Sequence, residues 1–480
     1  MGNFSMRFWP SVIPDCYVDF TNGNDENIGT SADEAWKTLS KVNSISLDPG
    51  DIVGLKCGEV WRETLVPPSS GVSGNPIKIT KYGAGADPII SGADAGAPTT
   101  PVREGCIRDH TGKGFITIDG IELAYPALAG VVSARWIGDT EGETPNWTVQ
   151  NCAFTKCGTY MFGANITIQD NVFVGPRPND HAVDGAVHIR GLVSTNAQVL
   201  RNTISGFDSR GIWIMNKPTA PSVRDNIIHD IAVTYGEAGE GYGINFDGYG
   251  QVINGLVTCT GNHVYNCAAD GVFFENCSGG SLVHGNLIHD VPRAINYKNY
   301  AELGTRPEQR GNDVNAQIHY NITYGVNTGV YVQSVKGLHI HNNMLDGALY
   351  GVLIPAAEAT YAGELDIRNN IFGDNLDYVL RCVAPWEDTC TYFDFNRVKI
   401  GNVVYETGVS DELTLAELQA GSDALNSFTT DPAFVDGANH DYHLQNGSPC
   451  INAGTDLDLT EDYDGVAVGA TPEIGAFEKV

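Results

Sequence analysis

Four short stretches decide the fold: Gly243-Ile-Asn-Phe-Asp247, Gly271-Val-Phe-Phe-Glu275, Ala294-Ile-Asn-Tyr-Lys298 and Gly329-Val-Tyr-Val-Gln333. Each opens on a small residue, carries apolar residues at its second and fourth positions, and places a polar or aromatic residue at the third. Side chains alternate across a strand, so one face is a stacked core and the other a row of chemistry. The fifth position reads Asp, Glu, Lys, Gln. If the copies are successive rungs, Asp247, Glu275 and Lys298 are vertical neighbours.

A second periodicity supports the register. An Asn stands three residues after an apolar strand position at Ile168/Asn171, Val199/Asn202, Val223/Asn226, Cys259/Asn262, Val283/Asn286, Ile318/Asn321, Ile340/Asn343 and Ile367/Asn370. Successive intervals are 31, 24, 36, 24, 35, 22 and 27 residues, and an earlier degenerate copy has Cys152 at the Asn position. Short strands recurring in units of 22–24 residues, with little helix and no hairpin signature, predict an all-β parallel β-helix in which each copy is one coil. A β-propeller needs longer antiparallel blades. The stacked Asn side chains are read as a structural ladder. The long intervals place insertions at 174–184, 231–241 plus 249–255, and 300–315, expected as loops bordering the outward row.

The ends read as caps. Cys16–Phe20 is a predicted strand, Ser31-Ala-Asp-Glu34 a capping box opening a short helix through Ala35, Trp36, Leu39 and Val42, and further strands are expected at Ile52–Lys56, Ile77–Thr80 and Ile89–Ile90. Ile400–Tyr405 reads as a last partial coil and Leu413–Ala420 as a surface helix. The Gly- and Asp-rich tail is expected over the last coil's open edge, which otherwise invites pairing. The predicted organisation is 1–95 for the N-terminal cap and first coils, 96–405 for the core and 406–480 for the C-terminal cap, in one continuous domain.

Composition excludes several classes. A net charge of −30 and a pI near 4.6 oppose a nucleic-acid partner, which needs a basic stripe. No run of 18 apolar residues is present, so no membrane insertion is expected. The first ten residues hold one basic residue and no apolar core of a signal peptide. The expected location is extracellular or virion-associated. The 11 cysteines include no CxxC pair or zinc spacing; most are read as buried thiols, with Cys382 and Cys390 close enough in sequence to bridge.

The terminal segments add a resemblance. Tyr17-Val-Asp-Phe-Thr-Asn-Gly-Asn-Asp, Ala35-Trp-Lys-Thr-Leu, Pro49-Gly-Asp and Asn75-Pro-Ile-Lys-Ile-Thr-Lys-Tyr-Gly look like the opening of right-handed parallel β-helix polysaccharide-degrading proteins. Ser448-Pro-Cys-Ile-Asn-Ala-Gly-Thr and Pro472-Glu-Ile-Gly-Ala-Phe-Glu resemble their closing segment. The resemblance implies a right-handed coil acting on a polysaccharide. It leaves the reaction open, since such proteins include lyases, hydrolases, epimerases and tailspikes. A lyase pattern of Glu-x-Glu with a following Lys is not matched at Glu275.

Through six coils the third position of the outward row reads His188, Trp213, Asn245, Phe273, Asn296 and Tyr331, and the fifth Arg190, Met215, Asp247, Glu275, Lys298 and Gln333. At ~4.8 Å per rung these columns run about 25 Å, room for several sugars, with exposed rings to stack on pyranose faces. Asp247 and Glu275, one rung apart, match the ~5–5.5 Å spacing of a retaining glycosidase pair. Lys298 beside Glu275 is expected to hold that carboxyl ionised, making Asp247 the acid and Glu275 the nucleophile, with no cofactor. The alternative is β-elimination on a uronate, with Asp247 and Glu275 holding a divalent cation such as Ca²⁺ and Lys298 as base. A third reading is a non-catalytic, tailspike-like glycan binder, and a salt-bridge ladder on a solvated face is the structural one. Glu237, Glu240, His181 and Asp184 on the insertions are secondary catalytic candidates, whereas His229, His263 and His289 read as coil-surface positions.

Overall fold

A computed structural model of the chain describes residues 13–126, 129–133, 146–175, 185–191, 196–216, 219–233, 240–248, 253, 255–277, 279–298, 316–333, 337–355, 364–383, 386, 390–407 and 411–479. These form two compact units, one of residues 1–162 and 166–173, the other of 163–165 and 174–480.

In the first unit the strands Cys16–Val18, Ile52–Lys56, Ile77–Tyr82, Ile116–Asp119, Trp147–Gln150 and Thr167–Gln169 pair in parallel, each with the next. The helix starts later than the capping-box pattern suggests. Ala32–Glu34 is a single 3₁₀ turn without a side-chain cap, and the α-helix is Leu39–Asn43, capped by Thr38. The cause is Asp25, whose carboxylate accepts hydrogen bonds from the Lys37 and Thr38 amides and the Thr38 hydroxyl. Trp36 is meanwhile held extended by its backbone bonds to Tyr17 and Asp19. Cys152, standing where the ladder Asn is expected, donates its amide to Asn171 Oδ1 at 2.9 Å.

The second unit repeats three parallel strands per coil. In one coil these are Val257–Thr260, His263–Cys267 and Asp270–Glu275, pairing with Ser281–His284, Leu287–His289 and Arg293–Lys298 of the next. The apolar positions stack inside: Ile244, Val272, Ile295 and Val330 in one column, Phe246, Phe274, Tyr297 and Val332 in the other, all buried. Phe274 stacks on Phe246 at 5.0 Å and on Tyr297 at 4.5 Å. The small residue opening each copy is a packing requirement. A Cβ on Gly243 would lie 2.3 Å from Val264 Cγ1 and 2.6 Å from the Gly271 carbonyl oxygen.

The Asn ladder marks the corner between first and second strands. From Asn202 through Asn226, Asn262, Asn286, Asn321, Asn343 and Asn370 to Asn396, each donates both its backbone N–H and its side-chain amide to Oδ1 of the next. The residue before each Asn is left-handed, from Arg201 at φ 52° to Gly261 at φ 64°, with Tyr320 at φ 55° among them. That turn costs little at Gly or Asn but strains a ring-bearing residue. The buried ladder holds it in place. Asn396, three residues after Phe393, is a rung the repeat count above omits.

The C-terminal segment does two jobs. Asp411–Thr414 pairs antiparallel with Asn402–Thr407, and Ser427 Oγ takes the Asn396 amide, closing the last coil. The helix is Leu415–Ala420, with a Thr414/Glu417 capping box. The tail beyond does not cover the open edge as expected. It runs back along the coil wall, where Tyr442, Leu444, Cys450, Ile474 and Phe477 pack on Ile322, Met344 and Ile371. Those three apolar side chains on consecutive second strands would otherwise face water. All 11 cysteines are thiols, ten of them buried; Cys382 and Cys390 do not bridge. No helix among the described residues is long and apolar enough to cross a membrane.

Candidate functional site

The outward row has the register read from the sequence. His188 pairs with Trp213, Trp213 with Asn245, Asn245 with Phe273, Phe273 with Asn296, and Asn296 with Tyr331. In the next column Arg190 pairs with Met215, Met215 with Asp247, Asp247 with Glu275, Glu275 with Lys298 and Lys298 with Gln333. Asp247, Glu275 and Lys298 are therefore consecutive rungs, spaced ~4.8 Å along the backbone.

The row differs from an open platform. Asp247 and Phe273 are each only 5% exposed, and His188, Asn245 and Asn296 are buried as well. Phe273 is not a free stacking ring, because Tyr242 lies against it at 5.0 Å. Trp213 is half-buried, sandwiched by His188 at 4.2 Å and the Arg210 guanidinium at 4.0 Å. Its indole N–H donates to Asp247 Oδ2 at 3.2 Å.

Burial changes the electrostatics of the carboxylate pair. The Glu275 carboxyl is pushed up to about 8, first by burial and second by the charge of Asp247, with Lys298 and Arg210 opposing. The sequence reading gave Lys298 the deciding influence. Desolvation outweighs it, and the Glu275 carboxyl is held well above its ordinary range.

Arg210, Tyr242, Asp270 and Arg293 belong to the site but escape the alternation rule. Each stands one residue before the small position that opens a copy, where strict alternation from the inward second position would send it inside. At Gly211, Gly243 and Gly271 the backbone of the next coil approaches closely, and the side chains before them, with Arg293 before Ala294, reach the row instead. Arg210 donates to Asn245 Oδ1 at 3.0 Å and to Glu240 Oε1 at 2.8 Å. Asp270, fully buried, is bridged by Arg293 and accepts from Asn296 Nδ2 at 2.7 Å. Burial raises its pKa against the opposing charge of Arg293. Arg293 also lies over Tyr331 at 5.0 Å.

Asn245 Nδ2 and Asn296 Oδ1, on either side of Phe273, are buried without a hydrogen-bond partner among the described residues. Of the secondary candidates, Glu240 is engaged by Arg210 and Ser209; His181, Asp184 and Glu237, with most of the insertions, lie outside the described residues. His229, Tyr265, His289 and Tyr324 form a half-buried ring stack with centroids 4.5–4.9 Å apart, and His263 Nε2 sits 2.9 Å from His289 Nε2. These histidines pack along the coil wall. Calcium takes six to eight oxygens, yet no third His, Cys, Asp or Glu among the described residues joins Asp247 and Glu275 to make a ligand cluster.

A protein-family description, right handed beta helix region, matches residues 138–305. The chain is a right-handed parallel β-helix. Among solved structures this β-helix superposes on XylC in complex with xylose with a TM-score of 0.54 at 13% identity, covering 97% of this chain and 98% of that one, a likeness of fold. Over 335 residues, 60% of its length, it is 25% identical to lacto-N-biosidase from Bifidobacterium longum subsp. longum and spans 20% of that protein. The lacto-N-biosidase structure from Eubacterium ramulus aligns at 15% identity with a TM-score of 0.36, over 87% of this chain and 67% of that one.

Proposed function

We propose that this β-helix is a retaining glycoside hydrolase with Asp247 as nucleophile and Glu275 as acid and base. The observation that carries the reading is the in-register Asp247–Glu275 pair, in which the Glu275 carboxyl is pushed up to about 8. This reverses the roles that charge order alone suggests. Asp247, fixed through Oδ2 by the Trp213 indole, attacks the anomeric carbon. Glu275 delivers its proton to the glycosidic oxygen, the C–O bond breaks, and a glycosyl ester forms on Asp247. Glu275, now a carboxylate, takes a proton from water, which attacks the anomeric carbon and frees Asp247.

The surroundings suit a sugar. The unpaired Asn245 amide N–H and Asn296 carbonyl oxygen offer hydroxyl groups one donor and one acceptor beside the carboxyl pair. Arg210 and Arg293 already face carboxylate partners, Glu240 and Asp270, which favours a neutral glycan over a uronate. The partial likeness to a lacto-N-biosidase and the shared fold with XylC, solved with xylose, support a glycosidase acting on neutral sugars. The test is a panel of neutral and uronic-acid oligosaccharides followed by proton NMR. Release of a sugar with the anomeric configuration of the substrate is expected. An unsaturated uronate product, or inversion, overturns the assignment.

A further inference from the structure

Away from the outward row, on the first-strand face of the second unit, the Leu338–His341 and Leu365–Arg368 strands pair in parallel. Leu338 and Ile340 point into the core, so His339 and His341, two residues apart, both project outward. Asp366 is the register partner of His339. His339 Nδ1 and His341 Nε2 converge on the same oxygen, Asp366 Oδ2, at 3.4 and 3.1 Å. The three ligand atoms lie within 4.8 Å of one another, and no other group of three such residues occurs among the described residues.

We infer that His339, His341 and Asp366 form a binding site for one divalent transition-metal ion. Around zinc, bonds of about 2.0–2.1 Å put neighbouring tetrahedral ligand atoms about 3.3 Å apart, and the two His–Asp separations bracket that value. His341 is 7% exposed, and its Nε2 makes no hydrogen bond of acceptable geometry despite its closeness to Asp366. His339 Nδ1 does hydrogen-bond that oxygen, at 3.4 Å, so a buried, unpartnered imidazole nitrogen and a hydrogen-bonded one converge on a single carboxylate oxygen, as ligands facing a common ion do. Arg368 grips Asp366 through both oxygens, its Nε donating to Oδ1 at 2.6 Å and its Nη2 to Oδ2; such a partner orients a ligating carboxylate. The fourth position opens on a cavity of about 440 Å³ whose lining adds His319, Asp456 and Asp458. Two imidazoles and one carboxylate suit zinc or ferrous iron, and not calcium or magnesium, which prefer oxygen. The ion would tie two successive coils together.

The full chain, stripped with chelator, is titrated with Zn²⁺ by calorimetry, beside its thermal unfolding with Zn²⁺, Ca²⁺ or Mg²⁺. One site per chain and a rise in Tm with Zn²⁺ alone are expected. His341→Gln and Asp366→Asn should weaken binding at least about tenfold, whereas His284→Gln, at a histidine pair on the same face, leaves it unchanged. If the wild type retains no zinc and its Tm does not move, or if the variants titrate like the wild type, the site is overturned. The wild-type measurements decide the matter even where a variant fails to fold.

Discussion

Asp247 and Glu275 are partners across one rung of the same parallel sheet, and burial together with the Asp247 charge pushes the Glu275 carboxyl up to about 8. A group that must be protonated to act loses activity as pH rises through its pKa, so turnover should fall above about 8. The same shift reports on stability. A carboxyl raised in the folded state, from 4.5 toward 8, stabilises the fold below 4.5 and gives up that contribution as pH climbs between the two values. Glu275→Gln should lower kcat by about 10²–10⁴-fold and flatten both profiles. A pH–rate profile and Tm measured from acid to alkaline pH check this; an unchanged alkaline limb in the variant removes Glu275 from the acid role.

Asp247 carries the other half of the mechanism. Asp247→Gly should abolish turnover of natural glycans while leaving binding measurable, because the attacking oxygen is gone and the groove remains. Azide supplied in solution should then restore cleavage of an aryl glycoside and give a glycosyl azide of inverted configuration. No azide product, with full activity loss, would return the two carboxylates to a structural role.

The repeat was legible because its determinants are local and periodic: an apolar position, three residues, then Asn. The Phe393/Asn396 pair obeys the same rule, so the last rung of the ladder was readable too. Burial was not. Whether Phe273 is a platform or a packed ring depends on Tyr242, which comes from the preceding coil at a position that alternation assigns to the interior. Arg210 and Asp270 were hidden for the same reason, since glycines at 211 and 271 interrupt the period-two pattern next to them. The capping box at Ser31 failed because Asp25, six residues upstream, takes the amides that begin the true helix at Thr38.

The ladder makes its own prediction. Asn286 accepts the backbone amide of Asn262 at 3.0 Å and donates to Asn321. Asn286→Ala strands the buried Asn262 N–H, at about 1–3 kcal/mol before any cavity cost. Denaturant unfolding should show at least that loss. The substitution lies on the corner rather than in the groove, so specific activity of the folded fraction should be unchanged. A variant as stable as the wild type would mean that the Asn stack follows the coil instead of holding it.

Lys298 separates the two chemistries most cleanly. In a hydrolase its charge only opposes the rise in the Glu275 pKa, so Lys298→Met removes a cation that favours the carboxylate. The pKa then climbs further and the alkaline limb moves to higher pH, with turnover at neutral pH retained within about tenfold. In an elimination Lys298 is the base that takes the C5 proton, and the same substitution abolishes activity at every pH. Measuring kcat for Lys298→Met from neutral to alkaline pH therefore reads the reaction class directly. A shifted limb with sustained turnover supports hydrolysis through Asp247 and Glu275; a dead enzyme with intact fold assigns the groove to a lyase.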